Sequence, residues 1–195
     1  MTSDPGAPAL RLHELSRSFG DVKAVDRLSL EVRRGEIFGF LGPNGAGKTT
    51  TIRMMCGLLR PDAGRVEVAG RLASPAPVEV RRTLGLSPQN IMIWDALTCR
   101  EQLEFMGRMY GLDGASARRR TGELLASFGL EDKRNKLGRT LSGGLKRRLN
   151  IALALVHEPE ILFLDEPQAG LDPQSRVLVR EYVRGLARRA TVILT

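Results

Sequence analysis

From Asp26 to Val32 the chain alternates, with Leu28, Leu30 and Val32 separated by polar residues, which predicts a strand with one buried face. Ala9–Leu15 predicts a strand before it. Ile37–Leu41 is a short unbroken apolar run of buried-strand length, and Thr49–Leu59 continues as a helix with Gly57 as its C-cap. Pro61–Gly64 predicts a turn, Arg65–Ala69 and Leu84–Ser87 predict strands, and Pro75–Arg82 a loop or one short helix. Beyond Pro88 the period changes. Helical spacing runs through Arg100–Tyr110 and Ala115–Phe128, punctuated by Gly111, Gly114 and Gly129. It returns in Leu149, Ala152, Leu153 and Val156, a helix that Ser142 caps and Pro159 ends. Ile161–Leu164 is continuously apolar and predicts a strand buried on both faces. Gly170–Pro173 then turns, Asp172 capping and Pro173 opening a helix to about Arg189, and Thr191–Thr195 is a final strand.

The loop after Ile37–Leu41 carries the most specific chemistry. Gly42-Pro43-Asn44-Gly45-Ala46-Gly47-Lys48-Thr49-Thr50 fits the phosphate-binding pattern G-x-x-x-x-G-K-[ST], with a strand before it and a helix after. Phosphate oxygens must approach the main chain closely, and Gly45 and Gly47 allow backbone angles that aim successive N–H groups into one concavity. Lys48 adds a positive charge near the β/γ-phosphates, Thr49 a hydroxyl ligand for Mg²⁺, and the helix an N-terminus that favours anions. This is a P-loop. Asp165 and Glu166 end the continuous apolar strand, so they emerge at the C-terminal edge of a doubly wound sheet, the edge that also holds the P-loop. Leu141-Ser142-Gly143-Gly144 opens a helix with two glycines, a second anion site.

Other features keep two readings. Phe19, before Gly20, either packs into the core as a strand-end aromatic, which its position favours, or stacks on a nucleotide base. Ile91-Met92-Ile93-Trp94 is either core or an exposed patch that docks another protein. Arg118–Arg120 and the series Arg176, Arg180, Arg184 and Arg188 predict solvated helix faces.

Composition narrows the class. At 195 residues, with 42% hydrophobic and 27% charged content, the chain suits one globular domain and excludes disorder. Its net charge of +8, largely from arginine, admits nucleic acid, an anionic membrane surface or a nucleotide as partner. Charge alone does not choose. Cys56 and Cys99 lie far apart without a nearby His, so free thiols in a reducing cytoplasm are expected and no zinc site is. Met1–Pro8 lacks the pattern of a signal peptide, and no later apolar run is long enough to span a bilayer, so a soluble chain is expected.

The order and separation of Gly42–Thr50, Gln89, Leu141–Gly144 and Ile161–Pro173 resemble the nucleotide-binding domain of the ATP-binding cassette (ABC) transporters over nearly the whole chain. A P-loop by itself also suits kinases, GTPases and helicases. The Leu-Ser-Gly-Gly signature just before an acidic strand is peculiar to this family. The resemblance implies an α/β fold: a P-loop NTPase core with a parallel sheet and an antiparallel β-subdomain over 9–89 and 159–195, and a helical subdomain over 90–158. It implies ATP and Mg²⁺ as cofactors, with Gly42, Pro43, Asn44, Gly45, Ala46, Gly47, Lys48, Thr49 and Thr50 on the phosphates and Phe19 on adenine. Thr49, Gln89 and Asp165 would serve Mg²⁺, Gln89 also sensing water, and Glu166 would be the base beside the attacking water. Ser142, Gly143 and Gly144 would reach the γ-phosphate held by a second copy, so that two chains sandwich two ATP molecules head to tail.

Departures from the family pattern refine this. Leu145 replaces the usual Gln, and Leu145–Asn150 looks like the variant in exporters of drugs, polyketides and polysaccharides. Gln168 stands where Thr or Ser is commoner, and Phe19 replaces a frequent Tyr. Family members carry a switch histidine just past the last strand, whereas the only histidines here are His13 and His157. The resemblance therefore implies a domain incomplete at its C-terminus, which binds ATP but turns it over slowly. The expected function is the ATPase subunit of a bacterial exporter, a homodimer on the cytoplasmic face of the membrane that works through a separate permease and binds no nucleic acid. Two rivals are a soluble ABC protein acting on nucleic acid or ribosomes, and a regulatory module that binds ATP without turnover.

Overall fold

The computed structural model describes residues 8–73, 76–186 and 189–195. Two four-stranded sheets carry the fold. In the first, β1 (Leu10–Phe19) pairs antiparallel with β2 (Val22–Val32) on one side and with β4 (Ala63–Val68) on the other, and β5 (Arg71–Leu72) closes the order β2-β1-β4-β5. The second is parallel throughout: β3 (Ile37–Gly39), β8 (Thr191–Leu194), β7 (Ile161–Leu164) and β6 (Leu84–Ser87) lie in that spatial order. The expected α/β architecture is therefore present.

The period-two rule explains how β7 joins two cores. Ile161 and Phe163 face a cluster shared with the antiparallel sheet and α1 (Lys48–Met55), including Leu12, Met54 and Val66. Leu162 and Leu164 face the opposite cluster, built by α3 (Cys99–Met109), α4 (Gly114–Ser127), α5 (Gly143–Leu153) and α6 (Pro173–Leu186). All four β7 residues are buried, as a strand covered on both faces requires. Two helix starts are also as expected. Ser142 caps α5, its Oγ accepting from the Leu145 N–H, and Asp172 caps α6 by accepting from the Ser175 N–H at 2.9 Å. Thr98 and Glu101 form a capping box at α3.

Three expectations are corrected. Ile37–Leu41 is not a buried strand: β3 spans only Ile37–Gly39, and Phe38 and Phe40 turn toward the core while Ile37 is 38% and Leu41 86% exposed. Arg120 is not on a solvated face. It turns inward to donate to the Leu155 carbonyl at 3.2 Å and to Glu123 at 3.0 Å, while Arg118 and Arg119 stay exposed. The signature helix stops at Leu153 rather than at Pro159, although Leu155 and Val156 beyond it remain buried.

Boundaries elsewhere moved less. α1 ends at Met55, and Gly57, at φ +67°, supplies the left-handed residue that lets the Gly57 and Leu58 N–H groups return to the Met54 and Arg53 carbonyls. Pro75–Arg82 contains a short helix, α2 (Val78–Arg82). Strand β5 and two single 3-10 turns at Glu131–Lys133 and Gly138–Thr140 had no clear signal in the sequence. Arg176, Arg180 and Arg184 are exposed as expected, whereas Arg188, Pro75 and the lead Met1–Ala7 lie outside the described residues.

Candidate functional site

Sequence dictates the loop first. Between β3 and α1 the chain must reverse direction and still begin a helix, which it does through Gly45 at φ +83° and Gly47 at φ +78°. Gly47 is the N-cap of α1 and leaves no room for another residue: a Cβ there would stand 2.1 Å from the Ala24 carbonyl oxygen. Residues 42–46 are exposed and 47–50 half-buried, so the loop is open to solvent at a helix start with no acidic side chain in its first turn, although the Ala46 N–H turns back to the Pro43 carbonyl at 3.2 Å. Such a terminus favours an anion. The Lys48 ammonium folds over this loop, donating to the carbonyls of Gly42 at 2.7 Å and Pro43 at 2.8 Å.

The acidic tip of β7 meets the same place. Thr49 Oγ1 donates to Asp165 Oδ2 at 2.9 Å, and Thr195 Oγ1 donates to Asp165 Oδ1 at 2.7 Å. Asp165 is 3% exposed and Glu166 beside it only partly buried. One step on, Gln89, two residues beyond β6, donates from Nε2 to Glu166 Oε2 at 3.0 Å. Parallel pairing explains this: Ser87 pairs with Leu164, so the residues just beyond both strands leave the sheet together at its C-terminal edge. Glu166 adopts φ +49°, a left-handed conformation that costs a non-glycine residue about 1–2 kcal/mol. Its N–H is satisfied by Thr195 Oγ1 at 2.8 Å.

The structure therefore brings Lys48, Thr49, Gln89, Asp165 and Glu166 together. It does not bring Ser142–Gly144 to them. Those residues open α5 beside the turn that follows the acidic tip, where Gly144 lies against Asp172 and Ser175. Phe19 is not a core residue; it is 49% exposed at the tip of the β1–β2 hairpin, with the Arg17 guanidinium 5.0 Å from its ring centre. The Ile91–Trp94 stretch is the exposed patch rather than core, with Met92 69% and Trp94 41% exposed and only Ile93 packed inward. Trp94 meets Phe105 edge-on at 5.6 Å. Met92, Ile93 and Trp94, together with Leu58, Leu86, Met106 and Tyr110, line an open apolar cavity of about 550 Å³.

With this geometry in hand, comparison with known proteins decides the family. Residues 25–169 match the model of the ABC transporter family. The chain belongs to that family. This ABC domain is 46% identical over 186 residues to the daunorubicin/doxorubicin resistance ATP-binding protein DrrA of Streptomyces peucetius, a match covering 95% of the chain and 56% of that protein. It is 41% identical over 187 residues to the linearmycin resistance ATP-binding protein LnrL of Bacillus subtilis, with 95% and 60% covered. To the Nod factor export ATP-binding protein I of Ralstonia nicotianae it is 43% identical over 189 residues, with 96% and 59% covered. The chain thus spans a little over half the length of these curated relatives. A solved ATP-binding subunit of an ABC transporter superposes with a TM-score of 0.86 at 30% identity, covering 96% of the chain and 79% of that structure.

Two residues at the site had no sequence signal of their own. Thr195, just past the final strand, holds both Asp165 and Glu166. Arg147 appeared only as one residue of the signature variant, yet it is buried with its guanidinium directly behind the acidic tip. Burial draws its pKa down while the nearby Asp165 and Glu166 charges oppose that shift. Only a signal for burial could have found it, and a run of Lys146, Arg147 and Arg148 hides one.

Proposed function

We propose that this domain binds and hydrolyses Mg²⁺-ATP as one half of a head-to-tail dimer that powers export through a separate membrane permease. The observation that carries the reading is the contact of Thr49 with Asp165 at the mouth of the P-loop. One hydroxyl and one carboxylate oxygen side by side are hard donors of the kind Mg²⁺ takes, the remaining ligands being water and phosphate oxygens. The residues present therefore fit the cofactor: the loop amides and Lys48 would hold the phosphates, Thr49 and Asp165 the metal, and Phe19 the adenine. Bound Mg²⁺ would supply neutralisation of the phosphate charge that spreads during transfer. Glu166 would accept a proton from the attacking water, and Gln89, already bonded to Glu166, would hold that carboxylate in line.

Ser142–Gly144 point to the dimer. They form an exposed helix start away from their own P-loop, so a second copy would have to bring its nucleotide to them. Turnover per chain is then expected to rise with protein concentration. Turnover independent of concentration would remove the sandwich from the reading.

Export is favoured over the nucleic-acid reading by the resistance and export names of the relatives. Among the described residues no helix is long and apolar enough to cross a membrane, so a transporter would need another polypeptide segment for the pore. The apolar cavity beside the Gln89 loop is the proposed dock for that permease, at the cytoplasmic face of the membrane, with Trp94 as its anchor. Trp94→Ala is expected to cut co-purification with the permease about tenfold or more while ATP affinity stays within about twofold. Undiminished co-purification with unchanged stability would remove this docking face.

A further inference from the structure

We propose that Arg147 is a positioning residue that ties the Gln89 loop and the Asp165–Glu166 tip to the signature helix, so that glutamine and glutamate are set in place together. The proposal rests on the reading of this site as an ATPase.

The geometry is specific. Arg147 lies in the second turn of α5 and is 2% exposed. Its Nη1 donates to the carbonyls of Pro88 at 2.7 Å and Gln89 at 2.9 Å. Its Nη2 donates to the carbonyls of Asp165 at 2.6 Å and Glu166, and its Nε lies 3.5 Å from the Pro167 carbonyl. One flat fork with five N–H donors thus spans two loops.

Sheet geometry explains the need. The ladder between β6 and β7 extends one bond past the strands, from the Asp165 N–H to the Ser87 carbonyl at 3.0 Å. Beyond it the loops must part so that Gln89 and Glu166 can turn toward the nucleotide, which leaves main-chain carbonyls without ladder partners in a buried place. Arg147 supplies those partners. It also bonds the carbonyl of a residue held at φ +49°, a conformation that persists only where its surroundings over-determine it. Asn150, one turn along α5, reinforces the same link by donating to Ser87 Oγ and accepting from the Met92 N–H, each at 3.0 Å. A movement of the signature helix therefore reaches both catalytic side chains through one guanidinium.

Lysine tests the fork. It keeps the charge but has a single ammonium, which can serve one loop at a time. Arg147→Lys and Arg147→Met are each expected to lower kcat about 30- to 100-fold while calorimetric Mg²⁺-ATP affinity stays within about threefold, since misplacing a reacting group by about 1 Å costs that much. Lysine should restore thermal stability but not kcat. Hydrogen exchange on the nucleotide-free protein supplies an arm independent of turnover: both variants should lose protection in residues 88–92 and 165–168 together. A kcat within about threefold of wild type in either variant would overturn the proposal, as would ATP affinity falling in step with kcat or loosening of one loop alone. A wild type without turnover would instead refute the ATPase reading, and hydrogen exchange would still decide the tie.

Discussion

Replacing Lys48 with alanine is expected to weaken Mg²⁺-ATP binding about 30- to 150-fold with little change in the stability of the nucleotide-free domain. In the structure the ammonium is satisfied by the Gly42 and Pro43 carbonyls of an exposed loop. Water can replace it there, so truncation leaves no buried group unpaired and should alter stability by no more than about 0.5 kcal/mol. With nucleotide bound, the same ammonium would leave those carbonyls for phosphate oxygens. A charged hydrogen bond of that kind contributes about 2–3 kcal/mol, which gives the expected factor. Titration calorimetry on the variant decides it. Equal affinity in wild type and mutant would remove the P-loop from the proposed site, and a large fall in melting temperature would show that Lys48 holds the loop rather than the ligand.

Glu166→Gln should stop turnover while preserving binding, and should trap the dimer. The substitution keeps size and shape at a position where the backbone is already fixed by Thr195 at the N–H. An amide oxygen can still accept from Gln89, so the arrangement around the tip survives. What disappears is the carboxylate that accepts the water's proton. Loss of a general base commonly lowers a rate by about 10²–10⁴. If Ser142–Gly144 of a partner close over the nucleotide, the variant bound to Mg²⁺-ATP should elute from gel filtration as a dimer, and wild type as a dimer only transiently. Turnover of the variant within tenfold of wild type would move the base elsewhere. A strictly monomeric variant with ATP bound would contradict the sandwich.

Much of the candidate site is legible in the amino-acid sequence, for a physical reason. Gly45 and Gly47 sit at positive φ where the loop must curl, Pro173 opens α6, and Ile161–Leu164 runs unbroken because both faces are covered. These are local demands, and each leaves its mark on the residues that meet it. Where burial depended on a distant neighbour, the marks misled. Ile37 and Leu41 look like core but alternate with the inward-facing Phe38 and Phe40 and are left exposed, and Phe19 looks like a strand-end packing residue but projects from a hairpin. Arg120 looks solvated and is turned inward by the Leu155 carbonyl just past the end of α5.

The amino-acid sequence alone was enough to pick out the candidate chemistry: a glycine loop of the phosphate-binding pattern, the hydroxyl of Thr49, the paired carboxylates Asp165 and Glu166, and a glycine-led helix start. All of these are short-range patterns, whose spacing along the chain already limits what they can do. What holds them in place emerges from the fold. Gln89 lies just beyond β6 and Glu166 just beyond β7, and the two meet because parallel strands end together at one edge. Arg147 is distinguished from Arg148 and Lys146 only by the direction in which it leaves the helix, into a gap between two loops contributed by residues remote in sequence. Main-chain carbonyls carry no sequence signature, so a residue whose partners are all carbonyls is visible only once the fold has gathered them.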